Sequence, residues 1–138
     1  MPNPDFLANI RRILEATFKT AWADHTPVRY PNVVWKQPAA PFAVFNIQWG
    51  ASNQLTLGTT KREEQNGIVV ITLTTATGIG SDAAYALADR AQRIFRYQQL
   101  THGTTTVNIH ECGVGAASEG ATGFSLNVVC RFKAEDEF

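Results

Sequence analysis

The chain has 138 residues, 44% hydrophobic and 10% aromatic, and its twelve basic and twelve acidic side chains cancel. That length predicts one domain, 1–138, able to bury roughly 68–70% of its unfolded-chain surface without disulfide or metal staples. Zero net charge argues against an electrostatic grip on nucleic acid or anionic lipid, since both need a basic excess. Neither a membrane partner nor sequence-specific nucleic-acid binding is therefore expected.

The zero hides an asymmetry. Residues 1–62 hold seven basic and three acidic groups; residues 63–138 hold five basic and nine acidic groups. Two oppositely charged regions on one subunit could pair between copies, unless the fold interleaves them. Met1-Pro2-Asn3-Pro4 has no basic or apolar leader character. No apolar run reaches membrane-span length. Cytoplasmic synthesis is the expectation, with use there or in a particle assembled there. Both cysteines, Cys112 and Cys130, fall in strand-like segments and read as buried thiols. A cross-strand disulfide is compatible with the pattern and not inferable from it.

Asp5 to Ala23 predicts the first helix, with Phe6, Ile10, Ile13, Leu14, Thr17, Phe18, Ala21 and Trp22 on one face. Pro27, Pro31, Pro38 and Pro41 then punctuate an extended edge or loop, anchored by Val33-Val34-Trp35. Phe42 to Trp49 predicts a strand with Phe45, Ile47 and Trp49 on one side. A turn at Gly50 to Asn53 follows, and Leu55 to Leu57 could start another strand. Gly58 to Gly67 reads as an exposed charged loop or hairpin arm. Ile68 to Thr75 is the clearest strand, apolar enough on both faces to sit centrally.

Gly78-Ile79-Gly80 turns into a second helix capped by Ser81, with Asp82 in its first turn. Its stripe is Ala84, Leu87, Ala88, Ala91, Ile94 and Phe95. His102-Gly103 closes that segment. Thr104 to Cys112 predicts a strand, Gly113 to Gly123 a long loop, and Phe124 to Lys133 a cleanly alternating last strand. Residues 134–138 read as a frayed acidic tail. The order α-β-β-α-β-β predicts an α+β fold, a mostly antiparallel β-sheet with two main helices packed on one face.

Candidate chemistry is thin. His110-x-Cys112 supplies two ligands where closed zinc sites need four. Gly78-x-Gly80 lacks the third glycine of a dinucleotide fingerprint, Ala83 standing in its place, and no P-loop lysine follows. No nucleophile sits in a G-x-S-x-G turn. Arg90, Arg93 and Arg96 share their helix with Asp82 and Asp89, which favours a solvated face over a nucleic-acid patch. Neither catalysis nor a cofactor is expected.

The order of elements carries a resemblance. Ile10-Arg11-Arg12-Ile13-Leu14-Glu15 leads to Trp22, and Thr26-Pro27-Val28-Arg29-Tyr30-Pro31-Asn32-Val33 follows. Asn66-Gly67-Ile68-Val69-Val70 then precedes Gly78-Ile79-Gly80-Ser81-Asp82-Ala83-Ala84 and the helix end at Ile94-Phe95. Across roughly residues 5–133 this resembles the tail terminator, or tail completion, proteins of long-tailed bacteriophages, related to the lambda-like tail-tube terminator. Val33-Val34-Trp35 departs slightly, since the family often holds an aromatic directly after the asparagine. The resemblance implies a non-enzymatic virion protein at the neck-proximal end of the tail, made in the host cytoplasm. It further implies a homo-oligomeric, hexameric ring that caps the tail tube, ends its polymerisation and offers a surface for head–tail joining. The partners implied are the tail-tube protein and a head-completion or connector protein. Other readings are a different head–tail connector or tube subunit, or a small ligand-binding domain or enzyme. Within this frame Lys61, Arg62, Glu63 and Glu64 form a candidate interaction loop, with residues 113–123 as a second.

Overall fold

The computed structural model describes residues 5–23, 25–31, 34, 36, 38–54, 62–76, 78, 80–115, 117–120 and 123–137. In chain order the elements are α1 (Phe6–Trp22), β1 (Val28–Arg29), β2 (Phe42–Gln54), β3 (Arg62–Thr75), α2 (Asp82–Phe95), β4 (Gln99–His102), β5 (Thr105–Val114), β6 (Ser118–Gly120) and β7 (Gly123–Glu137). The strands form one seven-stranded sheet in the order β1-β2-β3-β7-β5-β4, with β6 also on β7. Every pairing is antiparallel except β1 with β2. This is the α+β architecture that the alternation and the two helical stripes predict.

Strand alternation sets the core. Ile71 lies opposite Phe45 on β2 and Val128 on β7, and Leu73 opposite Ala43 and Leu126. Side chains two apart share a face, so Val69, Ile71, Leu73, Leu126, Val128 and Cys130 make one continuous apolar surface, fully buried. Both helices lie on it. α1 contributes Phe6, Ile10, Ile13, Leu14, Phe18 and Trp22, whereas Thr17 is half-buried at the margin of the stripe and Ala21 is exposed. α2 contributes Ala84, Ala88, Ala91 and Phe95, with Leu87 and Ile94 half-buried at its margins. The alanine stripe lets the axis of α2 approach the sheet closely. Phe18 centres an aromatic cluster, with ring centroids 5.2 Å from Trp22, 5.3 Å from Phe45 and 6.2 Å from Phe95. The buried Trp22 indole donates to Thr26 Oγ1 at 3.0 Å, so its N–H is not orphaned.

Several expectations need correction. β2 does not turn at Gly50; a bulge between Trp49 and Ser52 absorbs an extra residue and the strand continues to Gln54. β3 begins at Arg62, not Ile68, because β7 extends alongside it. The acidic tail is not frayed: β7 runs to Glu137 with Ala134 and Asp136 buried. The Asp136 carboxylate accepts hydrogen bonds from Thr105 Oγ1 at 2.7 Å and Thr104 Oγ1 at 2.5 Å. Gln99–His102 forms β4, an unforeseen strand joined to β5 through Gly103 at φ 62°. The Gly113–Gly123 segment is not all loop, since it contains the end of β5 and all of β6. Ser81 stands at the start of α2 without a side-chain cap; its carbonyl accepts the Tyr85 N–H at 3.0 Å. Val34 is fully exposed and anchors nothing. Val33, Trp35 and the strand suggested at Leu55 to Leu57 lie outside the described residues.

Candidate functional site: the helix-free sheet face, its charged end and its edges

Alternation places the even positions of β3 and the odd positions of β7 on the face away from the helices. Where the end of β3 meets the start of β7 this face is a neutral ladder of hydroxyls and amides. Thr72 Oγ1 donates to Asn127 Oδ1 at 2.8 Å, and Thr74 and Ser125 hydroxyls meet at 3.0 Å. Farther along it becomes charged. Arg131 Nε pairs with Glu111 at 2.9 Å, Lys133 Nζ with Glu64 at 3.3 Å, and Arg62 Nη2 with Glu135 at 2.6 Å.

The candidate quartet ends this charged stretch, and its described members are strand residues, not a loop. Arg62 and Glu64 point to the helix-free face, where Glu64 is buried between Lys133 and an Asn66 Nδ2 donor at 3.0 Å. Glu63 points the other way, directly opposite Asp136. Partial burial, and secondarily the Asp136 charge, hold its carboxyl above the ordinary glutamate range. Lys61 lies outside the described residues. The pattern Phe132, Ala134, Asp136 continues the inward positions of β7, and that was the available signal for the Thr104–Thr105–Asp136 tie.

The second candidate segment borders a cleft of about 690 Å³ lined by Gly78, Gly80, Ser81, Glu119, Gly120 and Phe124. Gly78 and Gly80 both adopt φ 84°, a left-handed conformation that explains the G-x-G turn without a ligand. The Glu119 carboxylate in the wall opposes an anion. His110 is the extra residue of a bulge between Ile109 and Glu111, and is exposed. Cys112 instead lies directly opposite Cys130. No cluster of three metal-ligating side chains exists among the described residues. No described helix is long and apolar enough to cross a membrane.

Both sheet edges are largely open among the described residues. β1 covers only Ala43 and Val44 of β2. Beyond it, the Ile47 N–H is taken by the neighbouring Asn46 Oδ1 at 3.0 Å, and Trp49 is 44% exposed. At the far edge β4 covers β5 as far as Asn108, and the Ile109 N–H still donates to the Gln98 carbonyl at 3.0 Å before the edge opens.

The sequence matches the phage tail terminator family over residues 9–132. The chain belongs to that family. Its members are tail structural proteins, not an enzyme class. Solved structures share the fold. One, which carries no functional description, superposes with a TM-score of 0.67 at 16% identity, over 93% of this chain and 95% of its own. Another, from the virion of a native gene transfer agent particle, gives a TM-score of 0.57 at 12% identity, over 99% and 100%. No curated protein matches significantly.

Proposed function

We propose that this protein acts as a single 138-residue unit that closes into a ring on the end of the phage tail tube, stops further tube growth and presents the surface to which the head-completion protein joins. The carrying observation is the family match across nearly the whole chain. The edges fit a closing, head-to-tail interface. Successive antiparallel pairings make β2 and β5 run oppositely within one subunit. The open β2 edge of one copy can therefore extend the β5 edge of the next as another antiparallel pair. The charged end holding Arg62, Glu63 and Glu64, with the adjoining Lys61, and the 113–123 segment are the surfaces proposed to meet the tube and the head-completion protein. Assembly takes place in the host cytoplasm and the ring remains in the virion.

Particles made without this protein test the reading. Overlong tails lacking heads are the expected result; tails of normal length on joined particles would refute it. Electron microscopy of the purified protein separates the alternatives, because a terminator gives single rings and a tube subunit gives growing tubes.

A further inference from the structure

Cys112 and Cys130 are register partners on β5 and β7. The hydrogen-bond phase of that pairing can be read three residues along. The Gly115 N–H donates to the Asn127 carbonyl at 2.7 Å, so 115 and 127 form a hydrogen-bonded pair. Such pairs alternate with non-hydrogen-bonded ones along an antiparallel ladder. Counting back, 113 with 129 is hydrogen-bonded and Cys112 with Cys130 is not. Non-hydrogen-bonded partners stand closest, with Cα atoms about 4.5 Å apart, inside the range that a disulfide spans. As direct register partners, both side chains leave the same face of the sheet. Both are free cysteines here.

The geometry points to Cys112 and Cys130 as a thiol pair built to close into a cross-strand disulfide by exchange with a small oxidised disulfide such as oxidised glutathione. Cys130 is buried and Cys112 is partly exposed, so Cys112 meets the reagent first. Its thiol is pulled below the usual cysteine value by the Cys130 hydrogen bond and by Arg96, against opposing burial and Glu111. The thiolate attacks one sulfur of the reagent and releases one small thiolate, leaving a mixed disulfide on Cys112. Cys130 then loses its proton and attacks the Cys112 sulfur, releasing the second. Two protein thiols are oxidised, one small disulfide is reduced, and the two protons leave on the two small thiols. The bond would pin the end of β5, whose outer edge β4 leaves open, to β7.

The test incubates the folded protein with oxidised glutathione, alkylates with iodoacetamide under native and denaturing conditions, and measures intact mass. The proposal expects loss of both alkylatable thiols with loss of two hydrogens, no cross-linked dimer, and full reversal by dithiothreitol. Cys130→Ser should stop at a stable glutathione adduct on Cys112, and Cys112→Ser should take up no adduct. The oxidised wild-type protein should unfold roughly 5–10 °C higher than the reduced one. Two thiols persisting in the wild-type protein, a wild-type adduct that never closes, or a lowered unfolding temperature would each overturn the assignment. The wild-type measurements decide the matter even where a serine variant fails to fold.

Discussion

Phe95→Ala probes the centre of the structure. Phe95 is fully buried, its ring lies 6.2 Å from Phe18 at an interplanar angle of 9°, and Phe45 stands 6.5 Å away. Truncating a core phenylalanine costs about 3–5 kcal/mol, the spread reflecting how well the site collapses. Collapse is hindered here. The nearest α2 stripe positions are Ala88 and Ala91, which have no side-chain length to move into the void. The stacked neighbours also lose ring contacts worth about 0.5–1.5 kcal/mol beyond area. The upper part of the range, about 4–5 kcal/mol, is therefore expected. At ~0.05–0.15 kcal/mol per residue a domain of this size holds at least about 2 kcal/mol more than that, so the variant should still fold. In urea the midpoint should fall by about 2 M with the slope unchanged, taking a slope near 2 kcal/mol/M. Phe95→Leu should lose roughly 1.5 kcal/mol or less. A loss below about 1 kcal/mol for the alanine variant would refute the placement of the α2 stripe against α1 and β2.

Two further outcomes follow from particular contacts. A Cβ at Gly67 would stand 2.6 and 2.9 Å from Phe132 ring carbons and 2.8 Å from the Gln48 carbonyl oxygen. Gly67→Ala should cost about 1–3 kcal/mol by overpacking. Phe132→Leu should recover part of that cost in a double-mutant cycle, whereas strict additivity would show that the ring is not the obstacle. At Glu63 the folded-state pKa is raised by burial and by Asp136. The folded state therefore holds its proton to higher pH than the unfolded chain, and stability falls as pH rises from the ordinary glutamate value through the raised one. Glu63→Gln should remove that fall; identical stability–pH curves for the two proteins would count against the pairing across β3 and β7.

Periodicity made much of this fold legible. The stripe of α1, the inward positions of β3 and β7 and the Ala-rich face of α2 follow from spacing alone, because burial on one face imposes a fixed period. Strand lengths were not legible. Arg62–Asn66 reads as a loop by composition, since no local term favours a charged strand. Its partner decides the matter: Glu135 and Lys133 on β7 supply the opposite charges, and those residues are some 70 positions away. The acidic tail misleads for the same reason. Asp136 is buried where Thr104, in the turn before β5, and Thr105, at the start of β5, arrive to donate to it. The register of Cys112 on Cys130 passes through the His110 bulge, so counting residues along two predicted strands does not fix it.

The charge asymmetry also changes meaning once the topology is known. The boundary between the basic and acidic halves, at 62 and 63, falls inside β3, and Arg62 closes onto Glu135 within the same subunit. Lys133–Glu64, Arg131–Glu111, Arg93–Asp89 and Arg11–Glu15 further neutralise charge internally. By contrast, residues 37–60, which include all of β2, contain no charged residue. Natural sheet edges are commonly guarded by charge, proline or a bulge against pairing with another chain. Of these the free stretch of β2 carries only the bulge after Trp49. A ring closed mainly by opposed charge would dissolve as salt screens it over about 10 Å at 0.1 M. Backbone pairing at an uncharged edge is insensitive to such screening. Assembly of the proposed ring, followed by light scattering, should therefore weaken only modestly in high salt, through whatever charged contacts surround the edges.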